Sequence, residues 1–355
     1  MKHNFGAGPC ILPQEVFQEA SQAVLNFNNT GLSILEISHR SKEFEEVNAE
    51  AERLVRELLR VPQNYSILFL QGGASQQFAM VPMNLLKEGG KAVYLDTGVW
   101  ASKAAKEASK IGNVEIIASS SDKNYTYIPK GFSIPVDADY FHYTSNNTIY
   151  GTEIFEKPAT SVPTVVDMSS DIFSRDINVS EFDVIYAGAQ KNMGPAGVTL
   201  VIIKDELLGK TSRTLPSIFD YQAHIKADSM YNTPPTFAIY ASMLNLRWLK
   251  AKGGVAVMEQ ENIIKARTLY DEIDRNPLFK GTAAVEDRSR MNVTFVMETP
   301  ELEAEFLALA KERNLIGIKG HRSVGGFRAS IYNALTLTSI NALVDTMKEF
   351  EERYK

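Results

Sequence analysis

Short apolar runs alternate with amphipathic, helix-length stretches through most of this chain, and that alternation restricts the fold more than any other feature. The runs are Ser66–Leu70, Ala92–Leu95, Val114–Ala118, Tyr140–Tyr143, Thr164–Val166, Val184–Ala187 and Val198–Ile203. Strands separated by helical connections pair in parallel, and runs without polar alternation have no wet face. The expectation is an α/β domain on a mainly parallel sheet with helices on both faces. Residues 41–60 spell out one such helix. Ser41 is placed as its N-cap, Glu43, Glu45 and Glu46 suit the positive end of the dipole, and Phe44, Val47, Ala51, Leu54, Val55 and Leu58 form one apolar stripe.

The pattern changes beyond Lys250–Gly254. A helix to about Asp274 is followed by a strand in Met291–Met297, a helix over 300–314, and strands in Leu315–Gly320 and Phe327–Tyr332. A terminal helix carries Ile340, Leu343, Val344, Met347 and Phe350. These segments predict a smaller α+β domain at the C-terminus. At 355 residues the chain exceeds the roughly 250–300 residues at which a single core stops growing. The predicted division is 14–250 for the large domain and 251–355 for the small one, with residues 1–13 packing near the active site or the small domain. In such open sheets, ligands gather at the carboxyl ends of the strands.

Charge and composition exclude several functions. With 43 acidic and 37 basic side chains, a net charge of −6, the chain lacks the basic excess that a nucleic-acid backbone demands. The superficial GXXG loop Gly317–Gly320 is therefore accidental. No apolar run approaches the about 18 residues of a membrane span, and MKHNFGAGPCILP has no signal-peptide core. Cytoplasmic localisation is expected. The lone cysteine, Cys10, has no disulfide partner within the chain, and the five histidines show no metal-ligand spacing. No metal is expected.

The chemistry concentrates in Thr164–Ile203, where Asp167 and Lys191 each follow an apolar strand and so emerge at one edge of the sheet. A strand-ending lysine is ordinarily a solvated charge. A lysine and a carboxylate together are what pyridoxal phosphate needs: the amine holds the cofactor covalently, and the acid keeps the ring nitrogen protonated so the ring can accept electrons. The lysine must also move a proton, which calls for a lowered pKa. Gly188, Gly194 and Gly197 would allow backbone to approach a bulky cofactor. Gly72-Gly73-Ala74-Ser75 joins a strand to a helix, and a helix N-terminus offers free amides and a positive dipole end to a phosphate. Arginine and histidine in loops (His39, Arg40, Arg288, Arg290, His321, Arg322, Arg328) supply forks for carboxylate or phosphate, although any single one is more commonly a surface ion pair.

At this point the chain resembles the phosphoserine aminotransferases, a class V family of the fold-type I pyridoxal-phosphate superfamily. The likeness rests on EISHRSKEF, YAGAQKNMGPAG, YNTPPTFAIY, RSRMNV and GHRSVGGFRASIYNA, and it extends from FGAGPCILP to the last helix. It implies pyridoxal 5'-phosphate held by Lys191, with Asp167 at the ring nitrogen and Trp100 stacked on the ring face. Thr148 and Gln190 would bond ring substituents or the phosphate, and Ala74 and Ser75 would offer it amides. Asn232 and Thr233 would reach the phosphate from the neighbouring subunit of a homodimer.

For substrate, the resemblance puts Arg40 at the anionic side-chain end with His39, His321 and Arg322, and Arg328 on the α-carboxylate. L-Glutamate and 3-phosphohydroxypyruvate would be the substrates and O-phospho-L-serine and 2-oxoglutarate the products, in serine biosynthesis. 4-Phosphohydroxythreonine, of pyridoxine biosynthesis, is a further candidate. Some family members carry arginine where this chain has Ser75, which leaves the phosphate to backbone amides, dipole and hydroxyls. The alternatives are a serine- or alanine-glyoxylate aminotransferase, a cysteine desulfurase dependent on Cys10, or a non-enzymatic binder of phosphorylated metabolites.

Overall fold

The computed structural model of the protein describes residues 2–354. In chain order it begins with β1 (His3–Asn4), α1 (Gln14–Leu25) and α2 (Lys42–Leu58). There follow β2 (Tyr65–Leu70), α3 (Gly73–Leu85), β3 (Lys91–Asp96), α4 (Val99–Ala108) and β4 (Asn113–Ser119). Then come β5 (Tyr140–Thr144), β6 (Thr164–Asp167), β7 (Val184–Gly188), β8 (Thr199–Lys204), α5 (Tyr221–Ile225), α6 (Thr236–Ala251) and α7 (Gly254–Arg275). The C-terminal part holds β9 (Phe279–Gly281), β10 (Asn292–Met297), α8 (Glu303–Glu312), β11 (Leu315–Ile316), β12 (Phe327–Ser330) and α9 (Leu337–Arg353).

Seven strands form one sheet in the order β2-β8-β7-β6-β5-β3-β4. Every pairing is parallel except those of β8, which runs against both β2 and β7. The reversal has a simple cause: residues 189–198 are too short and too irregular for a parallel crossover, which takes a dozen or more residues and usually a helix. Strands β5, β6 and β7 are buried throughout, as covered faces require. In α2, Ser41 Oγ accepts from the Phe44 amide at 3.5 Å, and the stripe of Phe44, Val47, Ala51, Leu54, Val55 and Leu58 is buried.

Register brings the ends that matter together. Leu70 pairs with Thr199, and Thr199 with Gly188, so β2 and β7 finish side by side on opposite flanks of β8. Asp167 pairs with Thr144 on one side and Tyr186 on the other. The carboxyl ends of β2, β5, β6 and β7 thus share one edge, with that of β3 beyond β5.

The C-terminal part packs β12-β10-β9 against a core that includes Leu269, Phe279, Phe295, Phe306, Phe327, Leu343 and Phe350. One expected strand is shorter than its sequence suggests. Leu315–Gly320 forms a strand only over Leu315–Ile316, which pairs with β1, and meets the three-stranded sheet only through an isolated bridge from Lys319 to Phe327. At Gly317 φ is +78°, and an added Cβ would lie 2.8 Å from the Gly6 nitrogen, so the chain turns where only glycine fits.

Phe306 lies 5.0, 5.0 and 5.3 Å from the ring centroids of Phe279, Phe327 and Phe350. Phe306→Ala is expected to destabilise this part by about 3–5 kcal/mol through lost burial and a residual cavity. Denaturant unfolding of the variant checks it; a loss below about 1 kcal/mol would contradict this account of the core.

Candidate active site

Lys191 follows β7 in the turn after Gly188, and its Nζ donates to Thr148 Oγ1 at 2.6 Å. The same Nζ lies 5.8 Å from the centre of the Trp100 ring. Trp100 stands in the first turn of α4, just past β3, and Thr148 belongs to the buried segment after β5. Three strand ends therefore converge on one amine. Burial pushes this amine down to about 8; Asp167 opposes the shift and Arg328 adds to it.

Asp167, at the end of β6, is buried, and its Oδ1 accepts from both the amide and the hydroxyl of Ser169, at 2.9 and 2.6 Å. Among the described residues its Oδ2 carries no hydrogen bond and remains for a donor in the site. Burial raises the Asp167 carboxyl, against the pull of Ser169 and Lys191. A cation presented to Oδ2 would hold it ionised.

Gln190 precedes the lysine, and its carbonyl accepts from the Cys10 amide at 3.0 Å. The Cys10 thiol reaches the Lys191 carbonyl, and burial pushes it up to about 12. A thiol so buried and bonded is poorly suited to the mobile nucleophile that a desulfurase requires. Ala74 and Ser75 fall in the first turn of α3, at the end of β2, where amides have no partner within the helix. Arg328, on β12, crosses to this edge and donates from Nη1 to the Thr148 carbonyl at 3.3 Å. His321 is lowered by partial burial and then by the charges of Arg328, Arg322 and Lys103, which places all four groups in one neighbourhood.

Other candidates lie elsewhere. The Arg40 side chain meets the His39 ring at 3.4 Å, and among the described residues nothing joins either to Lys191, Trp100 or Arg328. Asn232 and Thr233 are exposed, and the Thr233 carbonyl accepts from Gln71 Nε2 at 2.8 Å. Arg288 is spent in a bidentate pair with Asp274, at 2.7 Å twice, and Arg290 pairs with Glu259 at 3.1 Å. Both belong to the scaffold. The glycines of the lysine loop also do something other than expected. A Cβ on Gly194 would meet Ser242 Oγ at 2.1 Å, and one on Gly197 would meet Ala238 at 3.3 Å. They let the loop lie directly on α6 rather than on a ligand.

Sequence reasoning missed Lys103 and Ser169. Lys103 Nζ sits 4.7 Å from the Trp100 ring centre, and the signal was its position one helical turn after Trp100. Ser169 was legible as a serine two residues beyond an aspartate, the spacing of a local carboxylate turn.

The donor set fits pyridoxal phosphate on the structure's own terms. Trp100 Nε1 and Arg328 Nε are buried without a hydrogen-bond partner among the described residues, although buried polar groups are ordinarily satisfied. An enclosed amine, a half-free carboxylate, an aromatic face and a helix N-terminus complete the requirements of a flat, phosphorylated aldehyde.

The class-V aminotransferase family model matches residues 3–343. Phosphoserine aminotransferase of Flavobacterium johnsoniae is 63% identical over 353 residues, 99% of either chain. Two solved structures are similar along the whole length. Phosphoserine aminotransferase from Bacillus circulans subsp. alkalophilus has a TM-score of 0.97 at 45% identity, covering 100% of this chain and 99% of that one. The pyridoxal-phosphate-bound phosphoserine aminotransferase of Trichomonas vaginalis has a TM-score of 0.94 at 39% identity, covering 98% and 100%.

A lysine held near 8 gains its neutral, nucleophilic form about two and a half pH units below an ordinary one. Acylation of Lys191 by a small amine-directed reagent, read by mass spectrometry on cofactor-free protein, is expected to rise with a midpoint at about pH 8. A midpoint near the ordinary lysine value of about 10.4 would refute the burial argument.

Proposed function

The chain belongs to the class-V aminotransferases and, within them, to the phosphoserine aminotransferases, and from that premise we propose that Lys191, Asp167 and the residues around them carry the reaction. It is the reversible transfer of an amino group from L-glutamate to 3-phosphohydroxypyruvate, giving O-phospho-L-serine and 2-oxoglutarate, in serine biosynthesis. The supporting observation is the half-buried Lys191 amine, bonded to Thr148 and set between Trp100 and the Asp167 and Arg328 charges.

Bound pyridoxal 5'-phosphate supplies an electron sink for the charge left when the substrate's α-hydrogen departs, and it carries the amino group between the two half-reactions. Lys191 anchors it. The lowered Lys191 Nζ would serve, when freed from the cofactor, to take the α-proton and to return it. Asp167 Oδ2 keeps the ring nitrogen protonated. Trp100 covers one ring face, and its Nε1 is available to a polar group at the site. Thr148 Oγ1, which accepts from the lysine, becomes a donor when the amine leaves. Gln190 bonds a ring substituent, and the amides of Ala74 and Ser75 receive the phosphate without help from an arginine at position 75.

Arg328 is our assignment for the α-carboxylate, with His321 and Arg322 at the substrate's second anion. Arg40 and His39 act at that same end. A homodimer with shared active sites is part of the proposal: Asn232 and Thr233, exposed in one chain, reach the phosphate bound by the neighbouring subunit. Residues 14–250 form the cofactor-binding domain and 251–355 the small domain. Among the described residues no helix is long and apolar enough to cross a membrane, and we place the enzyme in the cytoplasm.

Two outcomes test the assignment. Lys191→Ala is expected to lose the visible band of the bound cofactor and to lower turnover by more than about 10³-fold; retained activity removes Lys191 from its role. Initial rates with glutamate varied at fixed levels of 3-phosphohydroxypyruvate are expected to give parallel double-reciprocal lines, because one product leaves before the second substrate binds. Intersecting lines would refute the two half-reactions.

A further inference from the structure

Behind the end of β6 lies a group of buried charges that the reaction as described does not use. Asp171, Glu153 and Arg175 are all buried. Arg175 Nη2 lies 3.6 Å from Asp171 Oδ2, and its Nε 3.4 Å from Glu153 Oε1. The guanidinium is held there by the carbonyls of Phe155 and Ile154, at 3.2 and 3.1 Å. Glu153 Oε2 accepts from the Arg290 amide at 2.8 Å, while the Arg290 guanidinium pairs with Glu259. Further charges face the cluster from its other sides: Asp167 and Lys191 act on Asp171, and Arg290 acts on Glu153. The phenols of Tyr143 and Tyr270 adjoin it.

Two enclosed carboxylates beside one guanidinium retain a proton between them, since ionising both would bury an unpaired negative charge. Burial and then the Asp171 charge push Glu153 up to about 7, against Arg175 and Arg290. Burial also raises Asp171, with Arg175 and Ser145 opposing.

Hydrogen-bond counting locates that proton. Ser145 Oγ is 2.5 Å from Asp171 Oδ1 and 3.0 Å from the Asp167 carbonyl oxygen, which also accepts from the Ser145 amide at 3.0 Å. A hydroxyl has one hydrogen to give. With Asp171 ionised, both neighbours are acceptors and one contact holds no hydrogen. With a proton on Asp171 Oδ1, the acid donates to Ser145 Oγ, Ser145 donates to the Asp167 carbonyl, and both lone pairs of that carbonyl are filled.

We propose that Asp171 is a positioning residue that carries the cluster's proton at Oδ1 and, through Ser145, pins the backbone carbonyl of Asp167, leaving Asp167 as the one ionised acid at the cofactor's ring nitrogen. The inference rests on Asp167 and Lys191 being the cofactor residues. By this count the cluster's negative charge resides on Glu153, beside Arg175 and the Arg290 amide, against the burial that pushes that acid up.

The test is the pH titration of the holoenzyme's visible absorbance, which reports the proton on Lys191 Nζ. In Asp171→Asn the carboxamide can present its NH2 to Ser145 and its oxygen to Arg175 with no change of charge, so the midpoint is expected to stay within about 0.2 pH unit. In Glu153→Gln the remaining acid ionises against Arg175, a negative charge moves next to Lys191, and the midpoint is expected to rise by about 0.5–1 unit. The same variant should lose a carboxylic-acid carbonyl stretch present in the infrared spectrum of the wild type. That measurement decides the matter even if Asp171→Asn fails to fold. An Asp171→Asn midpoint lower by half a unit or more, at about the scale of a removed neighbouring charge, means that Asp171 was ionised and overturns the inference, as does a stretch that persists in Glu153→Gln. A wild-type protein that acquires no visible band with pyridoxal phosphate would instead remove the cofactor reading and this inference with it.

Discussion

Keeping the Lys191 amine away from water, with Thr148 as its hydrogen-bond partner, is the constraint on which the surrounding structure depends. A primary amine loses its charge readily only where solvation is poor, and poor solvation requires several segments to close on one point. The parallel sheet meets that requirement through register. Because β5, β6 and β7 end together, the residues just beyond them are neighbours without being close in sequence. The reversed β8 serves the same end. It begins at Thr199 beside Gly188, so the lysine loop is anchored at both ends by one pair of strands and lies on α6 through Gly194.

The C-terminal part enters the site through polar contacts, which have narrow geometric tolerance. Asn292 of β10 accepts from Asn146 at 2.8 Å and donates to Ser330 at 2.9 Å and Tyr332 at 3.2 Å; the Tyr332 hydroxyl donates to the Ala7 carbonyl at 2.8 Å. Asn333 joins Asn192, beside the lysine, to Phe173. On the far side, Lys265 donates to the carbonyls of Ile331, Tyr332 and Leu335 at 3.0, 2.8 and 3.0 Å, and burial pushes its amine down to about 7. The segment that follows Arg328 is therefore held on both faces. An apolar contact would have tolerated sliding of the C-terminal part; this network fixes where Arg328 stands relative to Thr148.

Much of this was legible in the sequence because it depends on local rules. Apolar run length located the seven strands of the large sheet, and placement at strand ends singled out Asp167 and Lys191. What was hidden depends on contacts between distant segments. Nothing near Gly194 reveals Ser242 as the reason for a glycine, and nothing near Arg288 reveals Asp274 as its partner. The arginines looked equivalent in sequence because a guanidinium's role is set by whether a carboxylate in the same chain already occupies it. Arg288 and Arg290 are occupied by carboxylates, whereas Arg328 reaches only a carbonyl among the described residues.

That difference also bears on why the substrates carry two anions. Burial lowers Arg328, and the nearby cations lower His321 further after its own burial, so positive charge is held there at an energetic disadvantage. Arg328, Arg322 and Lys103 each disfavour charge on His321, and Arg328 also disfavours charge on Lys191. A ligand with one carboxylate relieves part of that disadvantage; a carboxylate together with a phosphate or second carboxylate relieves more, because each anion meets a separate group. Neutralising Arg328 also removes one of the influences that lower Lys191. If, as proposed, an anion docks at Arg328, substrate binding and the proton affinity of the lysine are linked, because that anion would raise the basicity of the Lys191 amine. The chain as a whole carries a charge of −6, so this cationic group is a local exception built by placement, and under the proposed assignment the Arg328 charge that lowers Lys191 would also favour ligands with two anions over ligands with one.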